Sequence, residues 1–386
     1  MMIFMVWLLL GFTGTCQRKD LPAVPGAERM DLYLPMLKGK NVAIVANHTS
    51  VVKSRHLVDS LMERGISKDR ILKVFAPEHG FRGDHAAGEL VANGLDPVTG
   101  IPVVSLYGSN RKPGADQMSG VELIIFDLQD VGTRFYTYIS TLHYVMEACA
   151  ENGIPLVVLD RPNPNGYVDG PVLEPEFTSF VGMHPIPVVY GLTIGELAEM
   201  INGQGWLSEA MQCDLTVIPC ENYYHGKHVI LPVNPSPNLN SDQAVLLYPS
   251  TCFFEGTVIS EGRGTQLPFQ SYGHPDLPGD FSFTPRAIPG VAEHPKFEGV
   301  TCYGKDLSHV EPSTGWNRIE LGWLLDAYHA FPRKGEFFTS YFETLAGTAS
   351  LRKQIEAGWD EASIRESWQK GLEEYKKIRE KYLIYQ

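Results

Sequence analysis

Apolar residues in the first two-thirds of the chain fall into short unbroken runs, separated by stretches whose apolar positions recur three and four apart. Asn41-Val-Ala-Ile-Val-Ala-Asn47 is such a run; it predicts a strand buried on both faces, because a half-exposed strand would alternate. Residues 71–76, 101–106, 121–127, 154–160 and 215–219 predict further strands of this kind. Between them, His56 to Gly65 sets Leu57, Leu61 and Met62 on one side of a helix, with Gly65 as its stop. Phe135 to Asn152 repeats Tyr138, Leu142, Val145, Met146 and Cys149 at helical spacing. Thr193 to Gly203 opens on a capping box, Thr193 followed three residues later by Glu196.

The pattern changes near Leu231-Pro-Val-Asn-Pro-Ser-Pro-Asn238, a stiff linker or domain edge. Residues 245–310 are rich in Gly, Pro and aromatics, which predicts short strands and loops. From Trp316 the spacing turns helical, with a stripe of Ile319, Leu321, Leu324, Leu325 and Tyr328. Residues 361–384 predict a last helix that buries Trp368, Leu372, Tyr375 and Ile378. The expected fold is α/β: a Rossmann-like, mostly parallel sheet domain with helices on both faces, over 41–238, then a smaller α+β domain over 239–386. Residues 17–40 read as a tether leading into a short helix.

Composition narrows the function. A formal net charge of −13 repels polyanions, so nucleic acid is not an expected partner. Met1 to Thr15 holds an apolar run too short to span a bilayer; with Cys16 after it, residues 1–16 read as an export signal, and Cys16 as a candidate lipid anchor. The expected location is therefore the periplasm or cell envelope. Five further cysteines are an odd number without a C-x-x-C pair, which argues against a cysteine zinc site.

Four predicted strands end in polar clusters: Asn47-His48, Glu78-His79, Asp127 to Asp130 with Thr133-Arg134, and Asp160-Arg161-Pro-Asn163. Parallel strands place these ends on one edge of the sheet, where α/β folds collect ligands. Glu78 follows directly on an apolar strand and Pro77, so partial desolvation would keep a proton on it near neutral pH and suit it to general acid work. Asp127 or Asp130 would be the second carboxylate. Arg82, Arg134, Arg161 or Arg263 would hold an anionic group of the substrate in a fork. Asn47, His48, His79 and Asn163 complete that edge. Glu255, Glu261 and Arg263, set among glycines and aromatics, suit the far wall of a sugar pocket. A rival metal site would draw on His48, His79, Asp84, His85 and Asp130, without any recognised spacing to support it. Dinucleotide, Walker and nucleophile-elbow motifs are absent, and no cofactor is expected.

Ala-Pro-Glu-His-Gly-Phe-Arg-Gly (76–83), Phe-Asp-Leu-Gln-Asp-Val-Gly-Thr-Arg-Phe-Tyr-Thr-Tyr (126–138), Leu-Asp-Arg-Pro-Asn-Pro (159–164) and Phe-Glu-Gly-Thr-Val-Ile-Ser-Glu-Gly-Arg-Gly-Thr (254–265) resemble the NamZ family. The resemblance runs from about residue 40 to the C-terminus. It implies an exo-β-N-acetylmuramidase acting on saccharides derived from peptidoglycan, with its site in a cleft between the two domains. It also implies that the family's glutamate in Pro-Glu-His-Gly, proposed as catalytic, is Glu78. A non-catalytic muropeptide- or sugar-binding protein and a metal-dependent hydrolase are the alternatives.

Overall fold

The computed structural model describes residues 21–78, 80–82, 94–311 and 315–385. The expected export signal and Cys16, together with His79, Asp84 and His85, lie outside the described residues.

Nine strands of the first half carry the architecture: β1 (Val42–Ala46), β2 (Ile71–Ala76), β3 (Gly94–Leu95), β4 (Pro102–Ser105), β5 (Leu123–Asp127), β6 (Leu156–Leu159), β7 (Val168–Val172), β8 (Pro187–Tyr190) and β9 (Leu215–Ile218). Seven of them form one sheet in the order β9-β6-β5-β1-β2-β4-β3. All neighbours in it are parallel except β3 with β4. Its six parallel strands follow the Rossmann order, with the chain reversing direction across the sheet between β1 and β5. Pairing of β1 with β5 runs from Val42↔Leu123 to Ala46↔Asp127, and β1 with β2 from Val42↔Ile71 to Val45↔Phe75. This register sets the carboxyl ends of three strands side by side.

Strand alternation distributes the apolar runs between two cores. Val42, Ile44 and Ala46 face one together with helices α1 (Met30–Leu37) and α2 (Leu57–Glu63); Ala43 and Val45 face the other with α3 (Tyr138–Asn152) and α4 (Ile194–Gly203). The second core continues without a break into the C-terminal part, which buries Phe253, Phe254, Phe337 and Phe342 in it. There a three-stranded antiparallel sheet has Cys302–Asp306 between Ser271–His274 and Phe281–Phe283. The long helix α5 (Glu361–Arg379) buries Trp368, Leu372 and Tyr375 and packs on β7.

The predicted cap at Thr193 forms, and the predicted stop, Gly65, follows the end of α2 with a φ of 91°. Thr193 Oγ1 accepts from the Glu196 amide at 3.2 Å, and Glu196 Oε2 accepts from the Thr193 amide at 2.9 Å. Helix α3 ends at Gly153, whose φ of 62° is left-handed. Three expectations differ. The stretch read as a tether is packed from residue 24 on: Val24 pairs with Glu221, and Ala27, Met30, Tyr33 and Leu37 are buried. The antiparallel pair β7–β8 gives no strand signal in the sequence, because Pro171, Pro185 and Pro187 interrupt its apolar pattern. Ile319 and Leu321 are buried but precede their helix, which covers Gly322–Ala330.

His56 caps α2 in an unusual way: its Nδ1 accepts from the Val58 amide at 3.3 Å, which leaves Nε2 to donate to the Asn47 carbonyl at 2.9 Å. Burial pushes this histidine from 6.5 down to about 4, against the opposing pull of the Asn47 carbonyl. A base whose folded value is depressed gives stability that is present above its unfolded value and lost as pH falls. The expected loss is roughly 3 kcal/mol between about pH 6.5 and pH 4. Urea unfolding across that window measures it, and His56→Asn, which keeps a capping acceptor, should flatten the dependence. An unchanged slope in that variant would exclude His56 as its source.

Candidate active site

Two adjoining cavities lie between the sheet's carboxyl edge and the C-terminal part. The first, of about 270 Å³, is lined by Glu78, Tyr107, Arg111 and Thr137, by an aromatic floor that includes Phe135, Tyr248 and Phe269, and by Glu255 and Arg263. The second, of about 470 Å³, is lined by Glu261, Glu293, His294 and Lys296. Glu78, Glu255, Arg263 and Tyr341 line both and so stand at the junction.

Glu78 reaches the junction because Pro77 ends β2 and Gly80, with φ 75°, turns the chain sharply behind it. Its carboxylate is half-buried, with Thr137 Oγ1 3.4 Å from Oε2. The Tyr107 hydroxyl is hydrogen-bonded to Glu78. Burial, the Glu78 charge and that bond push the phenol up to about 12. Tyr107 thus remains a donor at neutral pH.

The opposite wall is the loop 254–265. Arg263 Nη2 donates to Glu255 Oε1 at 2.6 Å, Arg263 Nε lies 3.4 Å from Glu261 Oε1, and the guanidinium sits 4.9 Å from the centre of the Phe269 ring. Gly262 and Gly264 on either side have φ of 79° and 77°, and a Cβ on either would come within 2.5 Å of a backbone oxygen. Only glycine permits this turn. Lys296 Nζ fastens the loop by donating to the carbonyls of Phe254, Thr257 and Ile259 and to Glu261.

Several residues predicted from the sequence stand elsewhere. Asp127 is fully buried and held by Arg161, at 2.6 Å from Nε and 2.9 Å from Nη2. This pair braces β5 against the loop after β6 and leaves neither group to a substrate. The Arg161 guanidinium is taken by Asp127, and Asp160 accepts instead from the Arg161 amide, Thr193 Oγ1, the Gly195 amide and the Tyr385 hydroxyl. Asp130 is buried and accepts from Tyr190 and from the Gly132 amide. Burial raises it to about 6, with those two bonds opposing. Arg134 is fully buried and donates to the carbonyls of Pro171, Ile186, Leu345 and Ala346. Arg82 is divided between Asp96 and Asp59. Asn47 donates to the Tyr138 hydroxyl, His48 Nε2 meets the Asn234 carbonyl, and Asn163 bonds Leu192 and Asn165. None of these residues lines the two cavities. The edge beside β1 and β5 is filled with internal hydrogen bonds, and the open space is displaced towards β2 and β4.

The cleft therefore joins Glu78 to Glu255, Glu261 and Arg263, as the sequence suggested, and adds Tyr107, Arg111, Thr137 and Tyr341. The strand-end argument that found Glu78 applies equally to Tyr107, just beyond β4. Nothing in the pattern around Tyr341 signals it. Among the described residues, no group of three or more His, Cys, Asp or Glu side chains is placed to hold a metal ion.

Residues 42–243 match the family described as exo-beta-N-acetylmuramidase NamZ, N-terminal, and residues 246–385 match its C-terminal counterpart. The chain belongs to the NamZ family. It is 40% identical over 377 residues to peptidoglycan beta-N-acetylmuramidase NamZ of Bacillus subtilis (strain 168), covering 92% of this chain and 89% of that one. Two solved structures of Bacteroides fragilis proteins, both described as DUF1343 family, share the fold. One is 45% identical with a TM-score of 0.87, covering 95% of this chain and 99% of its own. The other is 28% identical with a TM-score of 0.77, covering 94% and 99%. The NamZ assignment spans both parts of the chain and so includes both walls of the cleft.

Proposed function

We propose that this NamZ-family chain is an exo-β-N-acetylmuramidase that removes N-acetylmuramic acid from the non-reducing ends of peptidoglycan fragments, with Glu78 as its general acid. The observation that carries the assignment of Glu78 is its place at the junction of the two cavities, opposite Glu255. A glycosidic bond laid across that junction puts the terminal sugar on the aromatic floor and the leaving sugar in the larger space. Glu78 then gives its proton to the departing oxygen as the bond to the anomeric carbon breaks. Positive charge develops at that carbon and is met by Glu255, which Arg263 keeps in position. Water adds to the carbon, and its proton returns to Glu78. This arrangement replaces Asp127 and Asp130 with Glu255 as the second carboxylate.

Turnover of 4-nitrophenyl N-acetylmuraminide, with little or none of the matching N-acetylglucosaminide, is the expected result. Binding of muropeptides without any cleavage would instead support a carrier of cell-wall sugars. Equal turnover of both glycosides would remove the muramic acid specificity.

A further inference from the structure

Glu78 and Glu255 line the smaller cavity, so an anionic sugar entering it needs a cation that is not already neutralised. The obvious cations are engaged. Arg263 lies between Glu255 and Glu261, and Lys296 is spent on four carbonyls and Glu261. Arg82, Arg134 and Arg161 stand outside the cleft. Arg111 also lines the cavity, and among the described residues it has neither a carboxylate partner nor a hydrogen bond.

The surroundings hold Arg111 in place without using its donors. Its guanidinium lies over the Phe180 ring, 4.2 Å from the centroid. Tyr144 stacks on Phe180 at 6.3 Å, and the Phe180 carbonyl accepts from Ser140 Oγ at 2.7 Å, so the platform is tied to α3. The next residue, Lys112, is anchored to the same helix through Glu147 and Glu151. A guanidinium stacked by its face keeps its edge N–H groups free, and that planar fork matches a carboxylate.

We propose that Arg111 is the carboxylate-reading group of the pocket and pairs with the lactyl acid that distinguishes N-acetylmuramic acid from N-acetylglucosamine. The inference rests on the muramidase reading above and names the group that makes it specific. It places recognition on the loop after β4, outside the strand-end arginines that the sequence suggested. The ligand feature read is a free acid on the sugar, so an ester or amide at that carboxyl removes the contact.

The test compares kcat/KM for 4-nitrophenyl N-acetylmuraminide and its lactyl methyl ester, in the native protein and in Arg111→Met and Arg111→Lys. The native protein should prefer the acid by about tenfold or more, the scale of one charge-assisted hydrogen-bonded pair. In Arg111→Met the ratio should collapse towards one, chiefly through KM on the acid, and Arg111→Lys should restore part of it. Thermal melts of the variants should match the native protein, because Arg111 is exposed. If Arg111→Met keeps the native preference, another cation reads the acid and the proposal falls while the activity stands. Equal native rates on acid and ester have the same consequence. If the native protein cleaves neither compound, the muramidase reading fails, and this inference with it.

Discussion

Glu78→Gln is expected to lower kcat on an N-acetylmuramic acid-containing disaccharide by about 10²–10⁴-fold, the usual contribution of a general acid, with KM close to native. Glutamine keeps the shape of the side chain and still accepts from Tyr107 and Thr137, so the pocket should survive the change. What it loses is the proton that the leaving oxygen must receive. The size of the loss should therefore depend on the leaving group. A nitrophenolate departs with little help, so 4-nitrophenyl N-acetylmuraminide should suffer less than a disaccharide whose leaving oxygen belongs to a sugar. Measuring both in native protein and variant gives the comparison. Near-native hydrolysis of the disaccharide by Glu78→Gln would end its role as acid, and an equal loss on both substrates would make it a binding residue.

The second large effect concerns stability. Arg134→Met should cost on the order of 5 kcal/mol, read as a fall in the denaturant midpoint at unchanged pH. Among the described residues the guanidinium has no carboxylate beside it; its charge is met by carbonyls at 3.0 Å (Pro171), 2.7 Å (Ile186), 3.2 Å (Leu345) and 2.7 Å (Ala346). Two of these acceptors belong to the β7–β8 region and two to the C-terminal helices, so one side chain ties both parts of the chain together. Burial lowers its pKa to about 9. Methionine fills much of the volume but takes a donor from four buried carbonyls, of which that of Ile186 keeps the Leu173 amide, and each one left without a donor costs about 1–3 kcal/mol. That sum approaches the whole stability of an ordinary domain. A variant with native stability and weakened sugar affinity would instead restore Arg134 to the substrate.

These two residues also show what kind of information the chain carries. Glu78 and Arg134 both follow apolar strands or lie in motif-dense stretches, and by residue type alone they are equally good site candidates. The same holds for Asp127 and Arg161. Whether such a group meets substrate or is sealed inside depends on what covers it. Asp127 and Arg161 are covered by the 47–51 turn, which accepts from Arg161 through the Val51 carbonyl. Arg134 is covered by residues more than 200 positions away in the chain. No local pattern encodes such cover. Arg111 presents the reverse case: it sits in a Pro- and Gly-containing loop that carries no periodic signal, and only the meeting of that loop with Phe180 makes it part of a pocket.

The sequence by itself determined the parallel sheet, its helical layers, the cap at Thr193 and the stop at Gly65, and the presence of Glu78, Glu255, Glu261 and Arg263 at turns. Periodicity, capping chemistry and glycine placement act within a few residues, and so remain visible in one dimension. The tertiary structure decided which charges pair with each other, where along the sheet edge the space opens, and which loops line it. Those outcomes follow from long-range packing, where the desolvation of a charge is set by neighbours that the chain brings in from far away.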